Sequence, residues 1–370
     1  MKKRLALLMS LSVMTGLLTG CAGTPVVYYT ECNCTQEIHN GAVAESEAVV
    51  ESETVVEESQ AEEAPVLAEG ALKTGLAIAV SVANSENAKV ADYDVTHVAV
   101  LVDDNGIIRD CVIDGIATKV NFDETGVIST DLSAGVSTKN ELGENYGMVA
   151  WGGAIAEWDV QADALAQYAI GKTVDELKNG AINESGMAAE GTDLAATATI
   201  YLGGYVNAIE LAVENAKHLG AQAGDELRLA SLNSLGSSQN ATAEKAGVAQ
   251  LDCDVTALTV KDAVITSCYI DSVQAKVNFD QTGTISTDLT AAVQTKNQLG
   301  ENYGMVAWGG AIAEWDAQAA AYAEYITGKT AAEVAGIAVS ETTAPTEADL
   351  ASSVTIAIGG FQALIDKAMK

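Results

Sequence analysis

Apolar positions along the chain follow two different registers. His97 to Val102 and Ile107 to Ile113 are strand-like runs on either side of Asp103-Asp104-Asn105-Gly106. An Asn-Gly pair between such runs predicts an antiparallel hairpin. Ser129 to Thr138 is polar and connective. From Tyr146 to Ile170 the spacing becomes helical and Ala-rich, with Ile155, Trp158, Ala162 and Leu165 on one face and Gly171 as the stop. Thr173-x-x-Glu176 predicts a capping box that opens a short helix, since the hydroxyl and the carboxylate each satisfy one free amide there. A small-residue strand or turn and an amphipathic helix, Tyr205 to Lys217, complete the series.

The series occurs twice. Lys139 to Asp159 reads KNELGENYGMVAWGGAIAEWD and Lys296 to Asp316 reads KNQLGENYGMVAWGGAIAEWD, an offset of 296 − 139 = 157 with Glu141 against Gln298 the single difference. Lys119-Val120-Asn121-Phe122-Asp123 recurs as Lys276-Val277-Asn278-Phe279-Asp280, Thr173-x-x-Glu176 as Thr330-x-x-Glu333, and the closing helix as Phe361 to Lys370. So long a period marks two whole domains, not a solenoid of small repeats. They are placed at 72–220 and 222–370, and the expected class is α+β, an antiparallel sheet with packed helices built twice.

Ahead of the repeats, Lys2, Lys3 and Arg4 precede an apolar run, Leu5 to Leu18, too short for a normal membrane span. It ends in Leu18-Thr19-Gly20-Cys21, which resembles a bacterial lipobox. That resemblance implies a signal over 1–20 and Cys21 as the lipidated first residue. The expected place is then the outer face of the cytoplasmic membrane, with the lipid as the sole membrane contact. Residues 21–71 form an acidic tether, because Ala42 to Gly70 holds nine Glu and no Lys or Arg. Cys32 and Cys34 stand near the anchor; export permits a disulfide there, but the spacing defines no metal site.

Charge narrows the function. With 51 acidic against 19 basic residues and a net charge of -32, the chain lacks the cations that phosphate backbones require, which excludes nucleic acid as a partner. The three His (His39, His97, His218) have no counterpart in the other repeat, and no HExxH, GxSxG or P-loop occurs. Six Cys form neither a CxxCH nor an iron–sulfur array. Cys111 and Cys268 occupy equivalent strand positions and read as buried, inert thiols; Cys253 has no counterpart.

Late in each repeat, Asp193-Leu-Ala-Ala-Thr-Ala-Thr199 and Asp349-Leu-Ala-Ser-Ser-Val-Thr355 share an Asp six residues before a Thr. Both resemble the D-x-x-S/T-G-A-T/S signature of FMN-binding domains, with Thr197 or Ser353 in place of its Gly and Val354 in place of its Ala in the second copy. In that family an ApbE-type flavin transferase joins FMN through its phosphate to the last Thr. The resemblance implies covalent FMN on Thr199 and Thr355, two per chain, with Asp193 and Asp349 as signature residues. The repeated block offers Tyr146, Met148 and Trp151, and Tyr303, Met305 and Trp308, as walls for the flavin ring. Gly152-Gly153 and Gly309-Gly310 would let a flat ligand approach, and Lys139 and Lys296 are candidate partners for a phosphate. The whole pattern resembles Gram-positive two-domain FMN-binding lipoproteins of flavin-based extracellular electron transfer. It implies a membrane electron donor, a quinone or NADH dehydrogenase system, and extracellular acceptors. The implied role is a redox carrier more than a substrate-specific enzyme. A non-redox lipoprotein that binds a ligand or cell-wall component through YGMVAWGG is the alternative.

Overall fold

The strands of each repeat bury both faces, and that one property organises the molecule. The computed structural model describes residues 70–370; the expected signal, Cys21, Cys32, Cys34, His39 and the expected tether as far as residue 69 lie outside the described residues, while Ala71, placed in the tether, pairs with Gln222. In repeat 1, β1 (Lys73–Ser81), β2 (Val90–Val102) and β3 (Ile108–Asn121) form an antiparallel meander in sequence order. Repeat 2 does the same with β4 (Glu226–Ser234), β5 (Gly247–Lys261) and β6 (Val264–Phe279). The predicted hairpin is the β2–β3 connection: Asp103 Oδ1 accepts the amides of Asn105 and Ile107, each at 2.9 Å, and Gly106 takes φ 77.

Six helices follow in each half. Repeat 1 has α1 (Lys139–Leu142), α2 (Met148–Gly152), α3 (Trp158–Ala169), α4 (Val174–Gly180), α5 (Asp193–Thr197) and α6 (Gly203–Glu214). Repeat 2 has α7 (Lys296–Leu299), α8 (Met305–Gly309), α9 (Trp315–Ile326), α10 (Ala331–Ala335), α11 (Ala348–Ala351) and α12 (Gly359–Ala368). Thr173 and Thr330 form the predicted capping boxes with Glu176 and Glu333.

Alternation along the strands assigns the two faces. In β2, Tyr93, Val95, Ala99 and Leu101 enter a core shared with the other repeat, whereas Val98, Val100 and Val102 face repeat 1's own helices. The shared core brings Leu76, Ile78, Ile116 and Phe122 against Leu251, Val255, Val273 and Phe279. At its edge the rings of Phe122 and Phe279 stack with centroids 4.1 Å apart and planes 4° from parallel. The order is therefore helices, sheet, sheet, helices, and 70–370 belongs to one compact unit. Loops cross between the halves in matching fashion: Ile128 N–H donates to Asn240 Oδ1 at 2.8 Å, and Ile285 N–H to Asn87 Oδ1 at 2.7 Å.

One expectation needs correction. Tyr146 to Ile170 is not one helix: α2 stops at Gly152, Gly153 turns the chain at φ 64, and α3 begins only at Trp158. Ile155 consequently lies in the connection and is 58% exposed, while Trp158, Ala162 and Leu165 are buried as expected. Of the small-residue strand or turn expected before the closing helix, the Asp193 segment forms a turn, the single helical turn α5, leading into extended backbone at Ala198.

Candidate functional site

Each site is built on the first turns of one helix, α3 in repeat 1 and α9 in repeat 2. Glu157, just before α3, accepts the amides of Met148 at 2.7 Å and Val149 at 3.0 Å; Glu314 does the same for Met305 and Val306 at 2.8 and 2.9 Å. These amides head α2 and α8, short helices with no side-chain cap of their own, so the carboxylate closes each loop back on itself. At the loop apex Trp151 is 91% exposed and Trp308 92% exposed. Each indole lies over the glycine that precedes its helix, Gly147 or Gly304, where φ is 83 and a Cβ would strike the ring.

One turn into the helix, Gln161 is fully buried and uses both ends of its amide. Its Nε2 donates to Ala156 O at 2.8 Å. Its Oε1 accepts from Thr199 N at 2.7 Å, Thr199 Oγ1 at 3.2 Å and Ile200 N at 3.2 Å. Gln318 repeats the arrangement with Ala313 O, Thr355 N, Thr355 Oγ1 and Ile356 N at 2.8, 2.8, 3.2 and 3.2 Å. Donors on one side and an acceptor on the other fix the orientation of the amide. Each threonine hydroxyl therefore gives its proton inward, while the residue itself is exposed. Asp193 and Asp349, also exposed, sit in the first turn of α5 and α11. The residues before the threonines are mostly small, with Ala196 and Thr197 exposed and Ala198 and Val354 buried, whereas Ile200, Tyr201 and Ile356 follow them.

The remaining candidates separate. Tyr146 and Met148 are half-buried and pack against the helix-side core of repeat 1, as Tyr303 and Met305 do in repeat 2, so they and the outward Trp do not face one volume together. Gly152-Gly153 and Gly309-Gly310 meet nothing within 4 Å at a built Cβ and serve the turn.

Lys139 does not reach toward a ligand; its side chain is 5% exposed, paired with Asp94 at 3.0 Å and held 4.9 Å from the Trp158 ring centroid and 5.7 Å from that of Tyr146. Burial works against its charge, but Tyr205, Asp94 and Tyr146 outweigh that and hold its pKa above the usual lysine value. Lys296 lies likewise over Trp315 and Tyr303, at 4.6 and 5.4 Å. The carboxylate at the Asp94 position, Asp252, is instead engaged by Ser237, Gln250 and Gln274. Burial lowers the Lys296 pKa, and Asp254, Asp252 and Asp271 offset this only in part.

Sequence reasoning passed over Glu157, Gln161, Glu314 and Gln318, although the signal was present. Glu and Gln four residues apart, within AIAEWDxQA, recur in both repeats and stand one helical turn apart on the same face, with Asp159 or Asp316 the other polar residue of the motif. Comparison with family models, curated proteins and solved structures finds no match to this chain.

Proposed function

We propose that this chain is a surface-anchored redox carrier holding two covalently attached FMN groups, one on Thr199 and one on Thr355. The observation that carries the reading is the paired threonine geometry. In each repeat the Thr of the signature-like segment is exposed, preceded by a run of mostly small residues, and hydrogen-bonded through both N and Oγ1 to one buried glutamine. A hydroxyl that donates inward keeps its lone pairs available outward, which is the arrangement a transferase needs to esterify it. The threonine segments fit attachment of the group, whereas the expected ring walls, Tyr146, Met148 and Trp151 and their counterparts, do not gather around one volume. FMN, when bound, supplies the electron-accepting and electron-donating chemistry, and the protein supplies attachment, orientation and electrostatic setting.

Within that role Gln161 and Gln318 hold the attachment points against α3 and α9. Lys139 and Lys296 set a fixed positive charge beside the same helix starts, neutralised by an ion pair at the first site only. A flavin transferase, a membrane electron donor and extracellular acceptors are the partners this role requires. The test is the visible spectrum of protein purified from cells that export it beside an active transferase. The expected result is a flavin band that survives denaturation and bleaches on chemical reduction; colourless protein from such cells contradicts the reading.

The exposed tryptophans favour a second reading, a non-redox lipoprotein that binds a ligand through the YGMVAWGG block. It predicts colourless protein whose ligand binding is lost in Trp151→Ala with Trp308→Ala.

A further inference from the structure

Thr199-Ile200-Tyr201-Leu202-Gly203-Gly204 and Thr355-Ile356-Ala357-Ile358-Gly359-Gly360 correspond position by position, and the one change of character is Tyr201 against Ala357. Two residues of chain span at most about 7 Å, so the phenol starts within reach of anything tethered to Thr199. Tyr201 is 60% exposed, yet its ring has a fixed seat. It rests against the backbone of Gly186 and Gly203, where a Cβ on either glycine would strike it. Gly186 takes φ 74, and its carbonyl accepts the amides of Leu202 at 2.8 Å and Gly203 at 3.0 Å. The seat is thus hydrogen-bonded to the segment that carries the ring.

In repeat 2 the same turn is built and the seat is filled. An offset of 343 − 186 = 157 puts Thr343 at the Gly186 position, and its carbonyl accepts the Ile358 amide at 2.8 Å. Thr343 keeps a left-handed φ of 59, a conformation that strains a β-branched residue. Its side chain supplies the atoms nearest to a Cβ on Gly359, at 3.1 Å, where the equivalent Gly203 faces Tyr201. Glycine and tyrosine therefore occur together beside Thr199, threonine and alanine together beside Thr355. The place of the ring is built into the first turn and withheld from the second.

We infer that Tyr201 is the wall for the flavin ring attached at Thr199, and that the group at Thr355 has no counterpart to it. The inference rests on the proposed attachment. One side of the phenol is taken by the two glycines, and the exposed remainder offers a flat surface for offset stacking. Ala357 offers none, so the two groups of one chain stand in different surroundings.

Flavin fluorescence of the full chain exported beside an active flavin transferase tests this, because contact with an electron-rich phenol quenches the emission. Thr355→Ala leaves only the first attachment point and Thr199→Ala only the second, and mass spectrometry fixes the occupancy of each. Emission per bound flavin is expected to be ~5-fold weaker in Thr355→Ala than in Thr199→Ala, the factor by which one aromatic pair favours the stacked arrangement. Adding Tyr201→Ala to Thr355→Ala should raise the emission to the level of the second site. Adding Thr343→Gly and Ala357→Tyr to Thr199→Ala should transfer the quenching there. Equal emission from the two singly loaded proteins, or quenching that persists in Tyr201→Ala, would overturn the wall and leave the attachment standing. Absence of any adduct would overturn both.

Discussion

Two buried polar side chains, Gln161 and His97, show how single residues set the behaviour of this molecule. Gln161, itself buried, accepts three hydrogen bonds at the edge of the core, so Gln161→Ala removes the acceptor that three donors share. The expected cost is about 2 kcal/mol, read as a lower urea midpoint at unchanged slope, with Gln318→Ala alike in repeat 2. His97 is buried in the core between the sheets, its Nε2 3.3 Å from Cys253 Sγ and its Nδ1 without a partner. Burial, with Lys139 and Lys367 nearby, lowers its pKa to about 3. The unfolded chain therefore takes up the proton first, and this contribution to stability is present above the ordinary histidine value and lost as pH falls toward 3. Asp271 has the opposite sign. Burial raises its pKa to about 6, so its contribution is present below the ordinary aspartate value and is lost as pH rises through 6. His97 pairs with Asp114 across the sheet as Val255 pairs with Asp271, so His97→Val copies repeat 2 and isolates the histidine. The stability difference between wild type and His97→Val should shift against the wild type as pH falls from about 7 to 4; a pH-independent difference contradicts the assignment.

At the scale of elements, the two repeated loops depend on a clasp that local propensity does not disclose. A helical period runs through Tyr146 to Ile170 because Ala is a strong helix former, yet the chain breaks at Gly153 and resumes at Trp158. The break is stabilised across nine residues, from Glu157 back to Met148, and a period-based reading cannot register such a contact. The same reading did find the capping boxes at Thr173 and Thr330 and the hairpin at Asn105-Gly106, whose hydrogen bonds close within six residues. The resemblance to the FMN-binding signature singles out Thr199 and Thr355, but the glutamines bonded to them lie 38 and 37 positions away, beyond the reach of any local pattern. Glu157→Ala should release the amides of Met148 and Val149. Their hydrogen exchange should accelerate at least ~10-fold, while amides of β2 and β3 keep their protection. Unchanged exchange would mean the loop holds by other means.

Over the whole molecule the two repeats are separate in sequence and joined in structure. The internal duplication announced two domains, and each half does carry its own sheet and helices. What the pattern did not announce is that the second face of each sheet is apolar because the other sheet covers it. Residues 70–221 made alone should therefore self-associate, since Leu76, Ile78, Val95, Ile116 and Phe122 would lie on an open face. Sedimentation that shows a folded monomer would contradict the shared core. Phe122→Ala removes one ring of the stacked pair and should cost about 3–5 kcal/mol, with both repeats unfolding in one transition. Thr199 and Thr355 also belong to one compact unit, so two groups attached there would be carried together. The measurement that tests this account most directly is peptide-resolved mass spectrometry of the full chain exported beside an active flavin transferase. The account predicts one FMN adduct on Thr199 and one on Thr355, each lost in its own Thr→Ala variant and both lost in the double variant. Unmodified threonines, or adducts that persist in the double variant, would contradict it.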